Sequence, residues 1–418
     1  MTGSGTEAGA GSGAGDGLGT GSGSGAGAGA GANHGANAAA GPLAGVRIIE
    51  LAGIGPAPYG CMLLADLGAD VVTIDRAQPG LQVVDPRYDL LRRGRRSILV
   101  DLKRQEGRDL VLRLVDGADA LVEGYRPGVT ERLGIGPQEC LQRNPRLVYA
   151  RMTGWGQDGP LAQRAGHDIT YLALAGALAH IGRAGAPPTP PLNLVADFGG
   201  GGMFLALGVL AGVLQARRTG RGDVVDVAMV DGVASLMTMF SGLAASGTWD
   251  LAERGGNMLD SGMPTYDVYR TADDEYVAVG ALEPQFWAEL RSRLGLADVP
   301  ESAAYDRQQW PALRARLEAV FASRTREEWT AEFDDSDACV APVLRLDEAA
   351  DHPQLTARRT YVKVEGVAQS APAPRFGQSP QPRPGVPARP GEHTDEVLRE
   401  LGVRPEEVAR LRATGVLG

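Results

Sequence analysis

Cysteine, lysine and histidine are scarce in this 418-residue chain. Its three cysteines, Cys61, Cys140 and Cys339, form no C-x-x-C pair and no even-numbered framework, which excludes a disulfide scaffold and points to free thiols in a reducing compartment. Lys103 and Lys363 are the only lysines among 41 basic residues. In so arginine-biased a chain a single arginine says little about function, and a lysine says more. No apolar run reaches the roughly 18 residues of a membrane span. A net charge of −10 argues against general nucleic-acid or membrane-surface binding, so an anionic ligand needs a local basic site. The turn AGIGPAPYG (52–60) lacks the G-x-G-x-x-G fingerprint, and no nicotinamide or flavin cofactor is expected. No His/Cys spacing suits a metal.

What is present is an ordinary globular composition, 43% hydrophobic and 22% charged. Residues 1–40 hold 15 of the 59 glycines, mostly alternating with alanine and serine, and are expected to be a flexible tail without a core. That tail has no lysine or arginine, which makes it a poor targeting signal, and TGVLG at the end is no peroxisomal address; the cytoplasm is the expected compartment.

From Pro42 the rhythm is β-α-β. VRIIEL (46–51), DVVTID (70–75), SILVDL (97–102), DALVEG (119–124) and RLVYARM (146–152) read as strands, with helices over 60–68 and 106–115. Alternating strands and helices predict an α/β fold with a parallel sheet. Farther on, 199–218 reads as an apolar helix opened by glycines, and a second helix is expected over 227–246. YDVYRTADDEYVAVGA (266–281) reads as a hairpin. The expected plan is a large α/β domain over 41–250, a smaller α+β domain over 251–355, and a final segment, 356–418. That segment is a proline-rich linker followed by two amphipathic helices that return to the large domain.

Five histidines occur. His34 falls in the tail, His352 and His393 in polar loops, and His180 at the end of an apolar helix. His167 stands apart, between Gly166 and Asp168. Gly-His-Asp is either a helix start with Asp168 as N-cap or a site for proton transfer. Asp197, ahead of four glycines, is either an N-cap or a base beside a backbone that a ligand can approach. Glu283 precedes Pro284 and is a third cap candidate. The basic segment 89–105, with Arg92, Arg93, Arg95, Arg96, Lys103 and Arg104, is either a solvated face or a phosphate site, as are Arg126 and Arg132 around a Pro-Gly turn.

PLAGVRIIELAGIGPAP, LVEGYRPGVTERLGIGP, YARMTGWGQDGP, GHDITYLALAGAL, PLNLVADFGGG, NMLDSGMPTYDVYRTADDEYVAVGALEPQFW and SDACVAPVL together resemble the α-methylacyl-CoA racemases. GEHTDEVL resembles the end of the wider class III CoA-transferase family. The resemblance runs from Pro42 to the C-terminus. It implies a large Rossmann-like domain that binds coenzyme A, a smaller α+β domain, and an interlocked homodimer whose sites lie between the large domain of one subunit and the small domain of the other. It implies racemisation of 2-methylacyl-CoA thioesters by two-base proton transfer, without a cofactor or metal. His167 and Asp197 fall on the catalytic pair, and Glu283 on the glutamate that holds the histidine. Asp168 falls on the residue whose backbone N–H meets the thioester oxygen, and which is the nucleophile in the transferase branch. Arg76, Lys103, Arg126 and Arg132 match positions that contact coenzyme A, and Asn193 and Tyr266 are expected to line the substrate site. The competing expectation is a CoA-transferase acting through Asp168. Thr265, beside Tyr266, departs from the family pattern and leaves the acyl preference open.

Overall fold

The computed structural model describes residues 41–76, 84–380 and 382–418. The glycine-rich segment 1–40 lies outside the described residues. Apolar strand segments and intervening helices build the first half: β1 (Arg47–Leu51), α1 (Pro56–Asp66), β2 (Asp70–Asp75), β3 (Arg96–Leu99), α2 (Gln105–Val115), β4 (Ala120–Glu123), α3 (Val129–Leu133), α4 (Pro137–Arg143) and β5 (Val148–Thr153). Next come α5 (Asp168–Leu174), the long helix α6 (Leu194–Thr219), β6 (Asp223–Ala228), α7 (Met229–Leu236) and α8 (Thr238–Ala245).

Six parallel strands form one sheet in the order β3-β2-β1-β4-β5-β6. Both faces are covered over β1, β2, β4 and β5, which is why these strands read as apolar runs, whereas β6 at the edge is largely exposed. Ile48, Val71 and Val148 face a core closed by α1 and α6; Ile49, Val72 and Tyr149 face the opposite core, closed by α2. The strand order reverses between β1 and β4. In open α/β sheets ligands bind at the carboxyl ends of the strands beside such a reversal.

Two expectations need correction. First, 227–246 is not one helix: β6 occupies 223–228 and two short helices follow. DVVDVA carries no Gly or Pro before MVDGV, so nothing local marks the end of the strand. Second, the helix expected over 199–218 starts earlier, at Leu194, and its first ten residues, Leu194–Met203, are wound as a π-helix. By length and composition α6 could cross a membrane, at a mean hydropathy of 1.7. Its inner face nonetheless packs on the sheet through Leu205, Val209 and Val213.

The remaining elements are β7 (Tyr266–Arg270), β8 (Tyr276–Gly280), α9 (Pro284–Arg293), α10 (Trp310–Phe321), α11 (Arg326–Phe333) and β9 (Val340–Pro342). The expected hairpin is present: β7 pairs antiparallel with β8, which also pairs with β9. A separate core lies here, with Tyr269, Phe321, Trp329 and Phe333 in aromatic contact. Short helices α12 (Leu346–Ala349) and α13 (Pro353–Ala357) precede an unforeseen hairpin, β10 (Tyr361–Val364) with β11 (Val367–Ser370). The final helices α14 (Thr394–Glu400) and α15 (Pro405–Ala413) insert Val397, Leu398 and Leu411 into the core beneath α2.

Candidate active site

Asp197 is the centre of the arrangement. It sits in the first turn of α6 and is not an N-cap; the cap position is Asn193, whose side-chain amide donates to Asp197 Oδ2 at 3.3 Å. Above it lies the turn that follows β1. A Cβ built on Gly55, at φ 71°, would stand 3.4 Å from Asp197 Oδ2, so the turn brings bare backbone to the carboxylate. Burial pushes the Asp197 carboxyl up from its usual range; the negative charge of Asp168 adds to this, while Asn193 and His167 oppose it.

The glycines of α6 serve packing between helices. Gly200 faces Gly232 and Val233 of α7, Gly201 faces Met229 and Pro56, and Gly202 faces Tyr59 and the Pro56 carbonyl on α1. Tyr59 also stacks on Phe198, with ring centroids 4.5 Å apart. The run after Asp197 therefore lets α1 and α7 approach the backbone, where the sequence suggested a ligand.

His167 is exposed and is the N-cap residue of α5, so Asp168 is the first helical residue and not the cap. Thr170 Oγ1 ties the turn, accepting from the His167 N–H at 3.0 Å and donating to its carbonyl at 2.7 Å. Gly166 is required by its neighbour: a Cβ there would lie 2.5 Å from the Tyr171 ring. Burial pushes the Tyr171 phenol up to about 12, with the Asp197 charge adding to it. The Asp168 side chain is buried and turns toward α6, where Oδ2 accepts from the N–H groups of Ala196 and Asp197, each at 2.8 Å.

Arg76, Lys103 and Arg126 follow the carboxyl ends of β2, β3 and β4, on the same edge of the sheet as the Gly55 turn. All three are exposed, and Arg76 lies over the Tyr125 ring, 4.8 Å from its centroid. Arg132 is exposed on α3. The clustered arginines behave differently. Arg93 pairs with Asp66, Arg92 with Asp75, Arg95 with Glu50, and Arg96 with Asp70, Glu396 and Glu400. Those four are internal counter-ions, which removes them as a phosphate site; Arg104 is exposed and lies 3.9 Å from Asp101, and among the described residues Lys103 makes no ion pair. His180 is half-buried against Trp249, as a packing residue.

Glu283 is exposed at the N-cap position of α9, where its side chain makes no capping bond. Among the described residues no hydrogen bond joins it to His167; its charge falls instead on Tyr305 and Cys339. Tyr266 begins β7, in the antiparallel sheet. One chain thus brings together His167, Asp168, Asn193 and Asp197, and places Glu283 and Tyr266 on other elements. Gly55 and Tyr171 are part of the site although the sequence reading singled out neither. Their local signals are a Gly-Ile-Gly-Pro turn and an aromatic four residues past the histidine.

The model of CoA-transferase family III matches residues 43–394. The chain belongs to CoA-transferase family III. Within that family it is 43% identical to the α-methylacyl-CoA racemase of Mus musculus over 378 residues, which is 90% of this chain and 97% of the relative. It is 31% identical to the acetyl-CoA:oxalate CoA-transferase of Acetobacter aceti over 363 residues, 83% of this chain and 92% of the relative. A solved CaiB/BaiF family protein from Brucella suis superposes with a TM-score of 0.72 at 25% identity, covering 87% of this chain and all of its own. Family III members thus include both racemases and transferases.

Proposed function

We propose that this family III enzyme racemises 2-methylacyl-CoA thioesters by 1,1-proton transfer. The observation that carries the reading is a desolvated Asp197 carboxyl with His167 close enough to act on it electrostatically. Neutral His167 takes the α-proton from one face, and the C–H electron pair moves onto the thioester carbonyl oxygen. The enolate is met by the Asp168 N–H at the N-terminus of α5, a type of contact worth about 3 kcal/mol per donor. Protonated Asp197 then delivers its proton to the other face, and the carbonyl re-forms. Imidazolium and carboxylate run the reverse. A carboxylic acid that donates near neutral pH needs the raised affinity for protons that burial supplies.

Glu283 of the partner subunit orients and charges-balances His167 in an interlocked homodimer. The exposure of Glu283 and its separation from His167 within the chain support this, as do the exposed Met203, Leu207 and Leu214 along α6. Arg76, Lys103, Arg126 and Arg132 hold the coenzyme A moiety, and Asn193 and Tyr266 face the acyl end. The proton transfers require no added cofactor. The three free thiols fit a cytoplasmic setting. The transferase alternative requires attack by an Asp168 carboxylate that is here 5% exposed and bonded to two backbone donors.

The test is incubation of each pure enantiomer of a 2-methylacyl-CoA in deuterated water, without metal or nucleotide. The expected outcome is convergence to a near-equal mixture with deuterium at the α-carbon. Coenzyme A exchange between acids without α-deuteration would reject the racemase in favour of the transferase.

A further inference from the structure

Asp168 has a side chain that the two-base scheme does not use. Its Oδ2 accepts the Ala196 and Asp197 N–H groups at 2.8 Å, and these are first-turn donors of α6 that lack partners within their own helix. Its Oδ1 is buried with no hydrogen-bond partner, and no cation pairs with it among the described residues. A carboxylate held by two N–H groups and no cation, in a low-dielectric setting, acts strongly on its neighbours. The neighbour is Asp197, the very residue whose backbone it holds.

We infer that Asp168 is a positioning residue: its carboxylate clamps the first turn of α6 so that Asp197 meets the Gly55 turn, and it sets the charge that Asp197 experiences. The inference rests on the two-base reading for its kinetic consequences, but the clamp itself does not. Two requirements are met by one side chain. A π-wound, glycine-rich turn is a weak scaffold for a proton donor, because glycine loses more chain entropy on ordering than any other residue. Two charge-assisted hydrogen bonds fix it. The same charge disfavours a second anion at Asp197 and so favours its proton-donating form.

The groups surrounding Asp197 are few. His167, Asp168 and Tyr171 act on it or are acted on by it from α5 and the residue before it. On α1, Tyr59 stacks on Phe198, Cys61 is buried against Glu50, and Asp66 is paired with Arg93. On α7 the one titratable group, Asp231, is exposed, and so are Asp223 and Asp226 on β6. Among the described residues Asp168 is thus the carboxylate acting on Asp197, and its removal has a definite sign. One direction of the cycle needs Asp197 as the carboxylate, and low pH removes that form. Without the Asp168 charge Asp197 is protonated only at lower pH, so the acid limb of the rate profile moves down.

Two variants separate the roles. Asp168→Asn keeps an acceptor for the two N–H groups and removes the charge. It is expected to leave amide hydrogen exchange over 194–203 as in the wild type, and to move the acid limb of kcat/KM to lower pH. Asp168→Ala removes both functions. It is expected to speed exchange over 194–203 and to lower kcat about 100-fold with little change in KM for the CoA ester. Wild-type exchange and kcat in Asp168→Ala would overturn the clamp. An unmoved acid limb in Asp168→Asn, or a covalent acyl or coenzyme A adduct on Asp168 in the wild type, would overturn the positioning role. Failure of the racemase reading is seen separately, as absence of α-deuteration by the wild-type enzyme, and the exchange measurement needs no substrate.

Discussion

His167 and Asp197 are separated by 30 positions in the chain, yet each acquires its character from immediate contacts. Asp197 is raised because it is half-buried beside a second carboxylate. His167 is presented by a turn that tolerates only glycine ahead of it, since Tyr171 fills the space a side chain would need. If the two groups face opposite sides of the α-carbon, deleting either stops inversion and spares exchange on one face. His167→Ala is expected to lower racemisation at least 100-fold while still deuterating, slowly, the enantiomer whose hydrogen points to Asp197. Asp197→Asn is expected to show the opposite preference. Chiral analysis with mass spectrometry checks both, once CoA-ester binding is confirmed in each variant. Near-wild-type racemisation by either folded variant rules out the pair.

Among the elements, α6 decides the geometry, and it is held by neighbours rather than by its own propensity. Gly232 of α7 is the closest approach: a Cβ there would stand 1.9 Å from the Gly200 carbonyl oxygen, a contact that only backbone displacement relieves. Gly232→Ala is therefore expected to destabilise the fold by about 3 kcal/mol and to lower kcat, because α7 cannot stay in place without pushing the turn after Asp197. Urea unfolding measures the first and turnover the second; unchanged values of both would show that the contact is soft. The element scale is also where reading the sequence succeeded unevenly. β1, β2, β4 and β5 are legible because burial on both faces leaves continuous apolar runs bounded by turns. β6 is not, because DVVDVA alternates polar and apolar residues and passes into α7 without a breaker. The start of α6 was misplaced because glycine is a poor helix former, so GGGG reads as an opening and not as the interior it is.

At the scale of the whole molecule, the proposed interlocked dimer is tested by which chain completes each site. In an interlocked dimer His167 of one subunit works with Glu283 of the partner subunit. Refolding equal amounts of His167→Ala and Glu283→Ala chains together then creates, in each mixed dimer, one site with both residues intact. Activity is expected to rise from near zero to about a quarter of wild type, as random pairing of two chains dictates. No recovery on mixing, with dimers confirmed by light scattering, would place both residues in the same chain's site.

By itself the sequence determined the α/β class, the first five strands with helices α1 and α2 between them, the later hairpin and the terminal helices, and it singled out a short list of candidate proton carriers. These follow from local periodicity and from the rarity of histidine and lysine, which one-dimensional order preserves. Tertiary structure decided the rest. Arg96 binds Glu400 across 304 positions, and Arg93 binds Asp66. Four arginines of a basic run that looked like a phosphate site are thereby consumed as internal counter-ions, and Lys103 beside them stays exposed. Asp168 caps a helix other than its own, and the glycines after Asp197 admit α1 and α7 in place of a ligand. Partnerships of this kind have no period and no local signature. They depend on which buried charges and bare backbones the folded sheet brings within reach, and desolvation makes every one of them count.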